Sequence, residues 1–112
     1  MLYQSEEMNV TVSINGDTVP AVTQVDIDLE HAIVDSKVDK TKKKYLVTIT
    51  RYLPVGVVVN NLYNMSNFDV AVNDSWLSFL LYDCEWTAIK RRMTADGVIE
   101  TSTFLAASFQ AN

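Results

Sequence analysis

Hydrophobic and polar residues alternate along most of this chain with a period of two, the pattern of β-strands that bury one face. Residues 10–14 (VTVSI) alternate aliphatic with hydroxyl side chains, and Asn15-Gly16-Asp17 follows with residues that tolerate positive φ. Residues 18–24 can then run back beside the first strand. The start of the chain therefore predicts a β-hairpin.

Residues 25–30 continue the alternation and place charge on one face. The aliphatic positions are Val25, Ile27 and Leu29, and the carboxylates are Asp26, Asp28 and Glu30. Because side chains two residues apart point to the same side of a strand, the three carboxylates share a face. The pattern predicts a strand whose aliphatic face is buried and whose acidic face meets water.

A basic segment follows this strand. Residues 35–44 (DSKVDKTKKK) hold five lysines and two aspartates, a local charge of +3 that leaves −8 on the rest of the chain. Such a run cannot enter a core, so it is predicted to be a long exposed loop. Residues 45–52 then alternate as another strand, and Pro54 interrupts any ladder because it has no N–H to donate.

The segment 55–65 fits two templates. Its apolar residues match a helical stripe, while Val57, Val59 and Asn61 match a strand. The preceding Pro54 and the asparagines on the opposite face favour a short helix over 57–66, although both alternatives stay open.

The last third of the chain has almost continuous strand propensity. Residues 68–72 alternate as a strand, and 73–75 form a turn. Residues 76–93 exceed the usual strand length, so a bend, bulge or turn is predicted near 83–85. A turn at 94–97 then leads into a closing strand over 98–109.

Composition agrees with this order of elements. Fifteen valines and ten threonines stand against three glycines and two prolines, and β-branched side chains favour strands. The predicted fold is mainly β, a β-sandwich or partly closed β-barrel with one short flanking α-helix. At 112 residues the chain is predicted to form a single domain, 1–112, with residues 1–8 as a flexible N-terminal arm.

Charge and rare residues exclude several classes of function. A net charge of −5 argues against a coat for nucleic acid, which depends on neutralising phosphates. The single cysteine, Cys84, cannot close an intrachain disulfide, and the single histidine, His31, cannot supply a multi-histidine metal site. No cofactor is expected. The first nine residues lack the features of a targeting segment, and no apolar run approaches the roughly 20 residues that span a bilayer, so an intracellular protein without membrane insertion is expected.

Two chemical interpretations were weighed against structural ones. Cys84 and His31 could form a nucleophile and base, but they lie on two predicted strands, and a buried cysteine is usually a small hydrophobe. Trp76 and Trp86 could form a stacking platform for a glycan or peptide, yet large aromatics in so small a domain mostly build the core. The chain is therefore expected not to be an enzyme, with a small β-sandwich binding module as the alternative function.

The basic loop allows three interpretations: a solvated loop, a contact with another copy of the acidic chain, or a nucleic-acid contact. The candidates for an inter-subunit contact are Lys37, Lys40, Lys42, Lys43 and Lys44. A second basic cluster, Lys90-Arg91-Arg92, alternates along a strand, so Arg91 is expected to point away from its two neighbours.

The C-terminal third resembles the tail tube family of tailed bacteriophages. The resemblance is carried by 68–72 (FDVAV), the turn at 73–74, 81–89 (LYDCEWTAI), the turn at 95–97 and 99–107 (IETSTFLAA), and the order of elements extends it over 25–107. These motifs are short, and the family has no invariant catalytic signature.

The resemblance implies a structural subunit of a phage tail or tail-like particle, located in the virion and assembled in the host cytoplasm. Six copies would close a ring, and stacked rings would form or initiate a tube through which DNA passes without specific binding. The loop 35–44 would match the hairpin arm that reaches a neighbouring subunit, and 57–66 the flanking helix. Asp26, Asp28 and Glu30 would be candidates for an acidic lumen, and adjacent tail or baseplate proteins would be the partners.

Overall fold

The computed structural model of the chain describes residues 3–5, 9–29, 32–34, 37–39, 45–54, 66–75 and 77–111. Within these ranges every regular element is a β-strand, which confirms the predicted mainly β fold. In chain order the strands are β1 (Tyr3–Gln4), β2 (Val10–Ile14), β3 (Asp17–Val19), β4 (Val22–Leu29), β5 (Ala32–Val34), β6 (Lys37–Asp39), β7 (Tyr45–Pro54), β8 (Ser66–Asp74), β9 (Ser78–Met93) and β10 (Gly97–Ala111).

Eight strands form one antiparallel sheet in the order β1-β4-β7-β10-β9-β8-β2-β3, while β5 and β6 pair only with each other. The sheet curls so that its two halves face each other. Tyr3 in β1 packs edge-on against Phe79 in β9 with 4.5 Å between ring centroids, and its hydroxyl donates to Asp74 Oδ2 in β8 over 2.5 Å. The two ends of the sheet, β1 and β3, are not paired with each other, so the curled sheet is open rather than a closed barrel.

The hydrophobic core lies between the two facing halves. Its side chains come from alternate positions of the strands, as the sequence pattern predicts, and each fully buried aliphatic or phenyl side chain contributes about 1.5–3 kcal/mol. The most deeply buried include Val12, Ile14, Val25, Ile27, Val47, Ile49, Phe68, Val70, Val72, Leu81, Cys84 and Phe104.

The predicted opening hairpin is confirmed over its first two strands. Asn15 and Gly16 have φ of 49° and 88°, and Ile14 pairs with Asp17, which is the geometry of a two-residue turn. The returning strand is shorter than predicted, because β3 ends at Val19 before Pro20 and Ala21, and Ala21 has a φ of 65°. The chain then enters β4, which pairs with β7 instead of β2.

The long strand β9 contains the break that its length predicts. Asp83 has a φ of 53°, and the pairing of β9 with β8 shifts register between Phe68 and Val70. The Asp83 N–H donates to Asp69 Oδ1 over 3.1 Å, which holds the irregular backbone in place. β9 therefore contains a bulge but no turn, and the whole strand spans 16 residues.

Of three other predictions, one falls almost entirely outside the described residues, and two concern segments of which a part forms a strand. The predicted helix 57–66 lies outside the described residues except for Ser66, which begins β8. In the predicted flexible arm 1–8, the Tyr3–Gln4 pair belongs to the sheet and the Tyr3 side chain is buried. In the predicted loop 35–44, Lys37–Asp39 is not irregular but forms β6 of a hairpin with β5.

Candidate assembly surface

Four neighbouring strands, β4, β7, β10 and β9, present one face to the core and the opposite face outward. We call the second of these the outer face. Residues directly opposite each other in the ladder share a face, so the register identifies its rows. One row joins Gln24, Thr50, Thr101 and Lys90, and the next joins Asp26, Thr48, Thr103 and Ala88. The two central rows of the outer face are therefore polar and rich in threonine, whereas the rows on either side include Leu46, Leu105, Tyr52 and Ile99.

The end of β9 extends beyond its neighbour β8. The last pairing between these strands joins Ser66 to Glu85, whereas β9 continues to Met93 beside β10. We call residues 86–93 the overhang. Among the residues that the structure describes, no strand pairs with the outer edge of the overhang. Ile89 and Met93 on its core-facing side are 36% and 78% exposed, so the core does not cover the far end of this side either.

The orientation of the backbone groups in the overhang follows from the turn beside it. The Thr94 N–H donates to the Gly97 carbonyl over 2.8 Å, and Met93 pairs with Val98. In an antiparallel ladder, hydrogen-bonded and non-hydrogen-bonded pairs alternate. Lys90 therefore bonds towards β10, while the N–H of Ile89 points to the open edge. Such an edge is a template for another strand.

A buried ionic network crosses β7, β10 and β9 beside the overhang. Glu100 Oε1 accepts hydrogen bonds from Arg51 Nε over 3.0 Å and from Nη2 over 2.8 Å, and Glu100 Oε2 accepts one from Arg91 Nε over 2.9 Å. The Arg51 and Glu100 side chains are 2% and 1% exposed, whereas that of Arg91 is 58% exposed. The carboxylate thus ties the rigid interior of the sheet to the overhang.

The structure places Asp26 and Asp28, two of the predicted lumen carboxylates, on the outer face of β4, and Glu30 lies outside the described residues. Both side chains are partly buried rather than fully exposed. Burial raises the pKa of Asp26, a hydrogen bond from Gln24 Nε2 offsets part of that increase, and the charge of Asp28 adds to it. The cross-strand neighbours of Asp26, Gln4 in β1 and Thr48 in β7, are uncharged.

The raised pKa gives a prediction for the isolated chain. Stability conferred by neutral Asp26 is fully present below pH 3.8 and is lost as pH rises through its raised native pKa. Asp26→Asn should therefore raise the melting temperature slightly at pH 7 and leave it unchanged at pH 3. Thermal unfolding of the monomer at the two pH values measures this. A variant that is less stable than the wild type at pH 7 would contradict the assigned environment.

Most lysines of the predicted inter-subunit loop lie outside the described residues. Lys37 is the first residue of β6, while Lys40, Lys42, Lys43 and Lys44 lie outside the described residues. The second basic cluster is described: Lys90 and Arg92 lie on the outer face opposite Thr101 and Ile99, and Arg91 points to the other side, as the alternation predicts.

Of the residues considered for chemistry, Cys84 lies in the core and Trp86 is partly buried against it. Cys84 is fully buried, and His31 lies outside the described ranges. Trp86 stacks on Phe68 at 4.9 Å and meets Phe104 edge-on at 5.4 Å; Trp76 is outside those ranges. In the described part of the chain there is no cluster of three or more potential metal ligands, nor a helix of the length and hydropathy that a membrane crossing requires.

Sequence reasoning missed the Arg51–Glu100–Arg91 network. The sequence contained an indication of this network, because Arg51 follows Val47 and Ile49 at the alternate positions of β7 that face the core. A charged residue in a buried phase requires a partner of opposite charge. The identity of the partner depends on the pairing of β7 with β10, which no local pattern contains.

No protein-family model and no curated protein matches this sequence. Three solved structures have a similar fold over nearly their whole length. Hcp1 from Flavobacterium johnsoniae has a TM-score of 0.66 and 12% identity, covering 94% of this chain and 95% of that one. The PVC sheath/tube terminator of an extracellular contractile injection system has a TM-score of 0.60 and 11% identity, with coverages of 98% and 97%. The tube-terminating cap of the anti-feeding prophage has a TM-score of 0.58 and 9% identity, with coverages of 100% of this chain and 93% of that one.

At these identities the comparison establishes the architecture and not the activity. The similarity covers 94% to 100% of this chain. The chain therefore has the fold of Hcp1 and of two tube-terminating proteins, and its resemblance to the tail tube family is confirmed at the level of the fold.

Proposed function

We propose that the chain is a structural, non-enzymatic subunit of a phage tail or tail-like particle, which forms or initiates the tube as a homo-oligomeric ring. The observation that carries this proposal is the four-stranded unit β4-β7-β10-β9, in which no described strand pairs with the outer edge of the overhang, in a fold like that of Hcp1 and two tube terminators. The unpaired N–H and C=O groups of an exposed strand edge can cause a monomer to aggregate, and in an assembly they can pair with a strand of the next copy.

Strand direction is compatible with ring closure. Adjacent strands of the unit are antiparallel, so with four strands β4 and β9 run in opposite directions. Rotation about a ring axis keeps the direction of every strand. The overhang of one copy is then antiparallel to β4 of the next. In the described residues β1 and Ser5 pair with β4 from Val25 to Ile27, so the joint would form at Val22 to Gln24 and join the units into one continuous antiparallel barrel.

The outer face would line the lumen of such a ring. The other half of the curled sheet, β8, β2 and β3, packs on the core face, so its bulk fits outside the barrel. Asp26 and Asp28, with Glu30 as the third candidate, would then face passing DNA, and threonines would separate them from Lys90 and Arg92. A wall whose cations are balanced by carboxylates offers little net attraction to phosphates, which suits passage without tight binding.

The size of the ring and its setting follow the same proposal. Six copies would close the ring, adjacent tail or baseplate proteins would bind its ends, and assembly in the host cytoplasm would place it in the virion or particle. Light scattering on the purified protein over a range of concentrations tests self-association. A mass near six times 12.6 kDa is expected, and a mass of 12.6 kDa at every concentration would contradict the ring.

The basic segment provides a separate prediction within this proposal. Replacing Lys42, Lys43 and Lys44 together by glutamate should change the free energy of unfolding by less than about 1 kcal/mol, since the sequence predicts an exposed loop and exposed charges contribute little. Ring assembly should weaken if the segment contacts a neighbouring copy, and replacement by glutamine should have an intermediate effect. Sedimentation velocity measures both. Normal assembly of the glutamate variant would remove the segment from the interface.

A further inference from the structure

Charge on the outer face is separated between the two sides of the four-stranded unit. β4 carries the carboxylates of Asp26 and Asp28, and the overhang of β9 carries the cations of Lys90 and Arg92. The strands between them contribute four threonines to the two central rows of this face, and Leu46, Leu105, Tyr52 and Ile99 to the rows on either side. Glu85 also lies on this face of β9, opposite Leu105, so one side of the surface carries two carboxylates and the other carries two cations and one carboxylate, a net positive charge.

This separation matters when copies join side by side. Rotation about the ring axis keeps the outer face of every copy on the same side of the joined sheet. The basic side of one copy then meets the acidic side of the next, whereas a two-fold contact between two overhangs would bring Lys90 and Arg92 against their own counterparts. The charge pattern favours the head-to-tail joint.

We propose that Lys90 and Arg92 of one copy form ion pairs with Asp26 of the next copy, across each joint of the ring and on its lumen face. The inference rests on the proposed ring and adds the residues that give the joint its direction. It also changes the expected lumen, because the carboxylates of the wall are partly neutralised by cations from the neighbouring copy.

The environment of Asp26 supports this partner. The carboxylate is partly buried beside the like charge of Asp28, two conditions that disfavour ionisation in an isolated chain and raise its pKa. A cation supplied by another copy relieves both. Within its own chain, Asp26 has an amide neighbour in Gln24 and an uncharged one in Thr48.

The edge of β4 is accessible over part of its length. In the described part of the chain, β1 pairs with β4 at Asp26 and Ile27, and the Ser5 N–H donates to the Val25 carbonyl. Among the described residues, nothing pairs with the outer edge of β4 from Val22 to Gln24. Since the Asp26 side chain projects from the outer face and not from the edge, a long lysine or arginine side chain of the neighbour can approach it.

Charge reversal tests the pairing. The test compares the wild type with three variants. They are Asp26→Lys, the double variant Lys90→Glu/Arg92→Glu, and the triple variant that carries all three changes. Asp17→Lys is the matched control, since it makes the same charge change at an exposed turn residue on the other end of the sheet. Sedimentation velocity gives the concentration at half assembly, and circular dichroism reports folding.

Asp26→Lys and the double variant should each raise the concentration for half assembly by about tenfold, because each places like charges at the joint. The triple variant should return to within about threefold of the wild type, and Asp17→Lys should not change assembly. Single-side variants that assemble normally, or a folded triple variant that shows no recovery, would overturn the ion pairs. A wild type that never assembles would instead overturn the ring itself.

Discussion

Glu100→Gln is expected to lower the free energy of unfolding by about 3–5 kcal/mol, because it leaves the buried guanidinium of Arg51 without its counter-charge. The side chain keeps its size, so the loss reports charge and not packing. Urea denaturation of the monomer at neutral pH measures the effect. The free energy of unfolding of a native protein is typically about 5–15 kcal/mol, so this loss would be a large fraction of it.

Two further variants separate the parts of the network. Arg51→Met/Glu100→Leu removes both buried charges and should recover most of the lost stability, since apolar replacements of a buried ion pair are often neutral or stabilising. Arg91→Gln should cost less than about 1 kcal/mol because its side chain is mostly in solvent. A Glu100→Gln variant as stable as the wild type would show that the carboxylate does not compensate Arg51.

Ile89→Pro should raise the concentration for half assembly by at least about a hundredfold while the monomer stays folded. The Ile89 N–H points to the open edge of the overhang, so proline removes a donor from the joint and leaves the β9–β10 ladder intact. Analytical ultracentrifugation measures assembly, and circular dichroism measures the fold.

The neighbouring position provides the control for this backbone argument. Lys90→Pro removes an N–H that bonds to β10 and leaves its acceptor unpaired, so it should destabilise the monomer itself by about 1–3 kcal/mol. Ile89→Ala keeps the N–H and removes only the side chain, so it should impair assembly far less than proline does. An Ile89→Pro protein that folds and forms rings as the wild type does would exclude the overhang from the joint.

The alternation of apolar and polar residues was sufficient to predict most of the main-sheet strands, because one-sided burial leaves a period of two in the sequence. It also placed the bulge of β9 near Asp83, since no strand of that length stays regular. Asn15-Gly16 marked the first turn through its tolerance of positive φ. In these cases the cause and the signal both lie within a few residues.

The assembly surface could be predicted only in fragments, because its parts are brought together by strand order. The pattern put Asp26 on the solvent face of one strand, and separated Lys90 and Arg92 from Arg91 on another. That Asp26 and Lys90 lie on opposite sides of one four-stranded face depends on β7 and β10 lying between them. Long-range pairing of this kind leaves no local trace in a single sequence.

Electron microscopy of the purified wild-type protein tests the central claim most directly. The account predicts six-fold rings in which the overhang of one copy lies antiparallel beside β4 of the next, forming one continuous barrel whose lumen is lined by the outer face. Rings joined through other surfaces, with the edge of the overhang left open, would contradict it, as would a protein that remains monomeric at every concentration.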